Sequence, residues 1–213
     1  MAQYKEPGAI LSAALQVGVN RGADAGSKPL MDAITLLRAD HRSVEKLFKQ
    51  FEKTTARARG ERRKLVESMI GELSVHAAIE EQYFYPAVRE LVPEETSTVL
   101  ESLEEHHIVK WVLSELEDTD VDDERFEPKV TVLIELIRQH VREEESDLFP
   151  ATRAAVKRRQ LGELGERMEQ AKATVPRRPH PRSPDTPPAN AAAAAAAGVM
   201  DRVRDGVRDR ISR

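Results

Sequence analysis

Residues 76–86 read HAAIEEQYFYP, and residues 140–150 read HVREEESDLFP. Each stretch begins with a histidine, has a glutamate four residues later and ends with a proline; the second begins 64 residues after the first (140 − 76). A shorter acidic-histidine pair precedes each stretch with an offset of 65 (106 − 41), and these pairs are Asp40-His41 and Glu105-His106. The chain therefore repeats a unit of two helices, and two such units predict an all-α, antiparallel up-down four-helix bundle.

The repeated residues have the chemistry of a metal site. A histidine and a glutamate four residues apart share one face of a helix, about 5–6 Å apart at Cβ. In both repeats this face is the apolar one, where a glutamate is costly to bury unless it is paired or bound to a metal. One such histidine alone would more simply be a hydrogen-bonded core residue, but four at matched positions indicate a two-metal site. The candidate ligands are His41, His76, Glu80, His106, His140 and Glu144.

Composition limits the kind of site. The chain has no cysteine, which excludes disulfides, thiolate zinc sites, iron-sulfur clusters and cysteine nucleophiles. Imidazole and carboxylate ligands suit iron, zinc, manganese or copper. The net charge of −4 is divided unevenly, because residues 157–213 carry 13 basic and 7 acidic side chains. An acidic body with a basic tail is not typical of a nucleic-acid-binding domain, so no nucleic-acid partner is expected.

Apolar residues at three- and four-residue steps predict four helices within residues 30–171. The first spans about 30–57, the second follows Gly60, the third begins near Pro93, and the fourth begins near Val130 and continues toward 171. The predicted divisions are an N-terminal arm over 1–29, a metal-binding bundle over 30–171 and a flexible tail over 172–213.

The tail is predicted to be mostly solvated. Residues 176–188 are rich in proline and arginine and should be extended or disordered. A short amphipathic helix follows, with apolar residues at Val199, Val203, Val207 and Ile211. The alternative is that this helix docks on a protein partner or a membrane surface. No run approaches the ~20 apolar residues of a membrane span, and residues 9–19 look like a mature segment rather than a signal peptide, so a cytoplasmic location is expected.

Several residues beside the motif need a choice. His106 shares the apolar face and keeps the repeat offset, whereas His107 lies about 100° further round the helix, so His106 is the predicted ligand. Glu45 is an equally good candidate for a ligand-region residue and for an exposed or paired charge. Tyr83 is predicted to pack in the core, with a hydrogen bond to a ligand carboxylate as the alternative. The acidic neighbours predicted to be solvated charges are Glu81, Glu143 and Glu145.

These motifs resemble the hemerythrin family, in its branch of HHE cation-binding domains. The resemblance covers about residues 30–155 and also includes the words ADHRSVEKLF and EEHHIVKWVL. It implies a four-helix bundle that holds a non-haem di-iron centre. It further implies that two carboxylates, Glu80 and Glu144, bridge the two irons.

Two departures from the oxygen-carrying hemerythrins bear on function. Those proteins have a further histidine in the third helix where this chain has Lys110, and they have His-x4-Asp in the last helix where this chain has His140-x3-Glu144. Fewer imidazoles leave more coordination positions open. The favoured function is an iron protein that binds or senses oxygen, nitric oxide or peroxide, or serves iron and oxidative-stress homeostasis. The alternatives are a di-iron enzyme that decomposes peroxide or nitric oxide, and a metal-stabilised interaction module.

Overall fold

The computed structural model describes residues 31–183 and 197–201, and these ranges contain helices and no strand. The helices over residues 31–183 are α1 (Ala33–Glu52), α2 (Arg59–Ile79), α3 (Tyr85–Leu91), α4 (Thr96–Asp118), α5 (Phe126–Glu143), α6 (Phe149–Ala155) and α7 (Arg158–Ala171). Two π-helical turns, Glu80–Phe84 and Glu144–Leu148, join α2 to α3 and α5 to α6. A 3₁₀ turn at Pro93–Glu95 precedes α4. The arm predicted over 1–29 lies outside the described residues.

The predicted all-α four-helix bundle is confirmed. Its members are α1, the interrupted helix α2–α3, α4, and the interrupted helix α5–α6. α1 packs along α2, and α4 packs along α5, so each repeat unit is a helical hairpin. The first helix begins where Asp32 accepts a hydrogen bond from the backbone N–H of Thr35 at 3.0 Å, which satisfies one of its free donors.

The core consists of two apolar clusters with a polar layer between them. One cluster includes Leu37 and Leu103, and the other includes Val44 and Val109. His41 lies between Leu37 and Val44 in the chain, and the repeat places the third-helix histidine between Leu103 and Val109 in the same way. The candidate ligands therefore lie at mid-height of the bundle, where the apolar packing on both sides fixes the helices that carry them.

Each π-helical turn begins at a candidate glutamate ligand. The backbone N–H of Tyr85 donates to the carbonyl of Glu80, five residues earlier, and that of Phe149 donates to Glu144 in the same way. A proline follows at 86 and 150, where the missing N–H and the ring disfavour a regular α-helical turn. A π-turn adds one residue to the helical register. Consequently, beyond each glutamate, the residue that faces the centre comes one position later in the sequence than α-helical periodicity predicts.

The fourth helix is shorter than the sequence predicts. It does not continue toward 171, because α6 ends at Ala155 and the backbone is extended at Val156 and Lys157, with ψ of 133° and 140°. A separate helix, α7, then packs against α1. Its buried side chains complete the first apolar cluster, and they include Leu161, Leu164 and Met168.

Part of the predicted tail lies against the bundle. Val175, Pro176 and Pro179 are buried, so residues 175–179 are not a solvated segment. Of the four apolar residues of the predicted amphipathic helix, only Val199 falls within the described residues, and its side chain is exposed. In the described part of the chain, no helix is both long and apolar enough to cross a membrane.

Gly165 sets how closely α7 approaches the start of α1. A Cβ at this position would lie 2.3 Å from the carbonyl oxygen of Met31 and 2.7 Å from the amide nitrogen of Ala33. Both are backbone atoms, so neither can rotate away. We expect Gly165→Ala to lower the free energy of unfolding by about 1–3 kcal/mol in urea titrations, as overpacking does.

Gly162 supplies the matched control in the same helix. A Cβ there meets no atom within 4 Å, and alanine is favoured over glycine in helices by about 0.5–1 kcal/mol. Gly162→Ala should therefore leave the free energy of unfolding unchanged or raise it. Equal effects of the two substitutions would contradict the close approach of α7.

Candidate metal centre

The structure brings all six candidate ligands together at mid-height of the bundle. Each bundle helix contributes one histidine, and the first residue of each π-turn contributes a glutamate. All six side chains are buried, with exposed fractions between 0% and 6%. In helix order they are His41 from α1, His76 from α2, Glu80 from the first π-turn, His106 from α4, His140 from α5 and Glu144 from the second π-turn.

Their donor atoms form two groups that could each hold a metal ion. The first contains His41, His76, Glu80 and Glu144 and has all its atoms within 4.8 Å of one another. The Nε2 atoms of His41 and His76 lie 3.2 Å apart. Oε2 of Glu80 lies 3.2 Å from Nε2 of His76, and Oε2 of Glu144 lies 3.3 Å from Nε2 of His41.

The second group contains Glu80, His106 and His140. The two imidazole Nε2 atoms lie 3.3 Å apart, and Oε2 of Glu80 is 3.4 Å from that of His106. Oε2 of Glu144 lies 3.5 Å from Nε2 of His140. Both carboxylates therefore stand between the two histidine pairs.

This donor set fits a pair of cations. Within the described residues, both carboxylate oxygens of Glu80 and Oε2 of Glu144 are buried without a hydrogen-bond partner. Buried polar atoms are almost always satisfied, so these oxygens require a partner that protein groups do not supply. A metal bound at about 2.0–2.2 Å by nitrogen and oxygen separates neighbouring donors by about 3.0–3.6 Å. The six donor spacings given above, from 3.2 to 3.5 Å, fall in this range.

The two glutamates ionise unequally in the absence of metal. Burial, together with the nearby charge of Glu144, raises the pKa of Glu80 well above its ordinary value. Burial acts in the same direction on Glu144, but the charges of His140 and His41 outweigh it and lower the pKa of Glu144. Burial also lowers the pKa of His76 to about 4. This imidazole is therefore neutral at pH 7, the form that binds metals.

A carboxylate stands behind every candidate histidine, at the ring nitrogen that faces away from the centre. Such carboxylate–histidine pairs fix the tautomer and orientation of the ring and raise its basicity as a ligand. The four pairs are Nδ1 of His41 with Glu145 at 2.9 Å, of His76 with Asp40 at 3.7 Å, of His106 with Glu81 at 3.1 Å and of His140 with Glu105 at 2.7 Å.

The expectation that Glu81 is a solvated charge is wrong. It is 6% exposed, and both of its oxygens accept hydrogen bonds from Nζ of Lys110, at 2.9 and 3.1 Å. Burial acts to raise the pKa of Glu81, but the partners His106 and Lys110 lower it below its ordinary value. Lys110 thus neutralises the carboxylate that orients His106. Glu145 is also more than a surface charge, since it holds His41 while one third of its side chain stays exposed.

Tyr85 is a site residue that sequence reasoning missed. Its hydroxyl donates a hydrogen bond to Oε1 of Glu144 at 2.9 Å and lies 3.4 Å from Nε2 of His106. Burial and the glutamate charges raise its pKa well above 10, so it keeps its proton. Tyr83, which α-helical spacing placed on this face, is partly buried against the first apolar cluster. The one available signal was that Tyr85 matches Phe149 in the repeat.

His107 and Glu45 lie outside the centre, and neither belongs to the two donor groups. The indole N–H of Trp111 donates to Nε2 of His107 at 3.3 Å. Both oxygens of Glu45 accept hydrogen bonds from Arg138 at 3.0 Å, so Glu45 is a paired charge.

A small apolar cavity, which we call the central cavity, adjoins the histidines. Its volume is about 20 Å³, somewhat above the roughly 10–15 Å³ that one water requires. Aliphatic side chains and the four imidazoles make up its wall, and the aliphatic residues are Val44, Leu73, Ala77, Val109, Ile137 and Val141. The space suits a water-sized or diatomic molecule and excludes an organic substrate.

The profile of the Hemerythrin HHE cation binding domain matches residues 32–152. The chain belongs to the hemerythrin family. The matched range covers the whole bundle from the cap of α1 into α6 and contains all six candidate ligands. A cation-binding function is therefore established at the level of the domain.

Three known proteins are similar to this chain. The crystal structure of a Hemerythrin HHE cation binding domain-containing protein from Mycobacterium kansasii is 26% identical, with a TM-score of 0.58 over 66% of this chain and 85% of that one. A hemerythrin-like protein of Schizosaccharomyces pombe is 27% identical over 137 residues, which are 64% of this chain and 68% of that protein. A DNA nickase of Nostoc is 27% identical over 173 residues, 80% of this chain. This chain spans a little under half, 46%, of that nickase.

The raised pKa of Glu80 predicts that the free energy of unfolding of the metal-free protein depends on pH. The folded state favours the protonated carboxyl, so this group lowers the free energy of unfolding as the pH rises above 4.5. Glutamine cannot ionise. We expect metal-free Glu80→Gln to be more stable than metal-free wild type at pH 7 by about 1–3 kcal/mol, with a difference that shrinks toward pH 4.5.

Urea unfolding at a series of pH values measures this difference. Glu101→Gln is the control, because Glu101 is exposed on α4, and it should change the free energy of unfolding little at any pH. A Glu80→Gln effect that is the same at pH 4.5 and pH 7 would show that the buried charge is not the cause.

Proposed function

We propose that this hemerythrin-family protein holds two iron ions between its two histidine pairs, bridged by Glu80 and Glu144, and binds or senses oxygen, nitric oxide or peroxide there. The observation that supports this most is the pair of buried carboxylates, which lie among four imidazoles and have three oxygens without a hydrogen-bond partner in the described residues. In the proposed assignment, His41 and His76 bind one ion, and His106 and His140 bind the other. A cytoplasmic location remains a prediction from the sequence.

The residues around the candidate ligands hold them in the orientation that metal binding requires. The four outer carboxylates orient the imidazoles so that each Nε2 points inward. Tyr85 donates to Glu144 and so fixes the second bridging carboxylate. The aliphatic wall of the central cavity excludes bulk water and limits the ligand to about the size of a diatomic molecule.

Iron, when bound, would supply open coordination positions and redox chemistry. Six protein ligands shared by two ions leave positions free on each ion, and the cavity gives the space beside them. Lys110 lies where an oxygen carrier has a further histidine, and it is engaged with Glu81. The protein therefore lacks that extra imidazole ligand, which favours ligand sensing over reversible oxygen transport.

The second candidate is turnover of peroxide or nitric oxide at the same centre. The hydroxyl of Tyr85 favours it, because this group retains its proton and lies 3.4 Å from Nε2 of His106, inside the ligand cluster. Such a hydroxyl could hydrogen-bond a small bound ligand. Steady consumption of peroxide by the iron-loaded protein, slowed by Tyr85→Phe and abolished by His140→Ala, would favour turnover over sensing.

Phosphodiester cleavage, which the name of the Nostoc relative describes, is not proposed for this chain. The candidate ligands are at most 6% exposed, and the adjoining cavity is about 20 Å³. A DNA phosphate cannot reach them without opening the bundle. We expect the iron-loaded protein to leave supercoiled plasmid intact.

The ligand assignment predicts a sharp contrast between adjacent histidines of α4. After anaerobic loading, we expect two iron ions per wild-type chain. His106→Ala should bind one or none, because it removes one of the two imidazoles of the second group. His107→Ala should still bind two, since His107 belongs to neither group. Metal analysis after gel filtration measures the stoichiometry.

Iron loading also distinguishes the proposed ligand-binding centre from a purely structural use of the metal. A wild-type protein that retains no iron after anaerobic loading would contradict the proposal. Optical spectra with oxygen, nitric oxide and peroxide then test ligand binding. Iron that raises the melting temperature without any spectral response to these molecules would favour a metal-stabilised interaction module.

A further inference from the structure

The residues that line the central cavity are related in pairs by the internal repeat. Its ten lining residues form five pairs at offsets of 64 or 65 residues. Because α1 corresponds to α4 and α2 corresponds to α5, the bundle has two equivalent ways into this cavity: between α1 and α5, and between α2 and α4. The five pairs are His41 with His106, Val44 with Val109, Leu73 with Ile137, His76 with His140 and Ala77 with Val141.

The first way in is an open groove between α1 and α5 with a volume of about 540 Å³. Its rim includes Arg42 and Arg142, which are exposed. Its floor is shared with the central cavity, and the residues that line both spaces are His41, Val44, Ile137 and Val141. Three aliphatic side chains, which we call the aliphatic gate (Val44, Ile137 and Val141), thus separate solvent from the ligand cavity.

The equivalent way in, between α2 and α4, is covered. The remaining pocket there is about 50 Å³. Six of its lining residues are the repeat partners of residues that line the open groove, namely Ser74, Ala77, Ala78, Glu81, Gln82 and Lys110. The rest of its wall comes from a segment beyond α7, residues 176–183, which we call the C-terminal cover.

A buried aspartate holds the C-terminal cover in place. The carboxylate of Asp201 accepts hydrogen bonds from the backbone N–H groups of Arg177 at 3.1 Å and Arg178 at 3.2 Å. It also lies 3.4 Å from Nε2 of His180. The guanidinium of Arg178 in turn forms an ion pair with Glu117 of α4. The C-terminal cover is therefore fastened both to the bundle, through Glu117, and to Asp201.

We propose that small ligands reach the metal centre through the α1–α5 groove and its aliphatic gate, while the C-terminal cover closes the matching route between α2 and α4. This inference rests on the proposed function, since it concerns entry to the same centre. An apolar gate passes uncharged molecules such as oxygen, nitric oxide and hydrogen peroxide more readily than anions, whose desolvation is costly. At the covered entrance, Ala77 occupies the position that Val141 occupies in the aliphatic gate. Because alanine is smaller than valine, release of the C-terminal cover would open the less obstructed route.

The gate is tested by the rate at which nitric oxide binds the iron-loaded full chain, followed by stopped-flow absorbance. Val141→Phe should slow association at least tenfold, and Val141→Ala should accelerate it, with iron content unchanged. Val132→Phe is the control, because Val132 is an exposed residue of the same helix, and it should bind nitric oxide at the wild-type rate. Wild-type rates in both Val141 variants would overturn the proposed entry route.

The C-terminal cover is tested in the Val141→Phe protein, where the first route is narrowed. Adding Asp201→Ala should restore association at least severalfold, whereas adding Met200→Ala should not, because Met200 is exposed. Trp111, the single tryptophan, lies 5.9 Å from the guanidinium of Arg182 in the cover. Asp201→Ala should therefore also increase acrylamide quenching of its fluorescence. Increased quenching without any recovery of the rate would overturn the closed second route.

A third measurement does not depend on iron or nitric oxide. In the metal-free full chain, diethyl pyrocarbonate should modify His41 faster than His106, as peptide mass spectrometry can show. Asp201→Ala should accelerate modification of His106 severalfold and leave His41 unchanged. Equal rates at both histidines in the wild type would overturn the two-route asymmetry. An iron-loaded protein that binds no nitric oxide but shows this labelling pattern would contradict the proposed function alone.

Discussion

The burial of two carboxylates among four imidazoles governs the structure. Within the described residues, three of the four carboxylate oxygens of Glu80 and Glu144 are buried without a hydrogen-bond partner, and a buried charge is costly without a partner. Two cations between the histidine pairs would supply that partner and neutralise the glutamates. Because the site exists only in the folded bundle, metal binding and folding are linked. The two apolar clusters, one on each side of this layer, hold the helices so that the donors meet.

Charge compensation continues outward from the centre in layers. Each histidine is backed by a carboxylate, and three of these carboxylates have a cation behind them. The cations are Lys110 for Glu81 at 2.9 Å, Lys172 for Asp40 at 2.7 Å and Arg38 for Glu145 at 3.7 Å. Lys172 directly follows α7 and precedes the C-terminal cover. The charged side chains around one metal group are therefore joined to the segment that closes one side of the bundle.

The sequence predicts the helical bundle and the candidate ligands because both depend on local periodicity and on the repeat. His106 could be separated from His107 by its helical face and by the repeat offset. Tyr85 could not be found in this way, because the π-turn shifts the register by one residue after Glu80. The break before α7 has no glycine or proline at 156–157 to mark it. The burial of Glu81 depends on Lys110 from another helix, a pairing that periodicity does not specify.

The two-helix units of the repeat are interlocked at the level of single hydrogen bonds. His41 of the first unit is held by Glu145 of the second, and His106 of the second unit is held by Glu81 of the first. Each donor group also includes a glutamate, Glu80 or Glu144, that contacts histidines of both units. Neither unit alone therefore contains a complete, oriented centre. The bundle resembles a symmetric dimer of two helical hairpins that are fused into one chain. Pairing of the two hairpins therefore also assembles the centre.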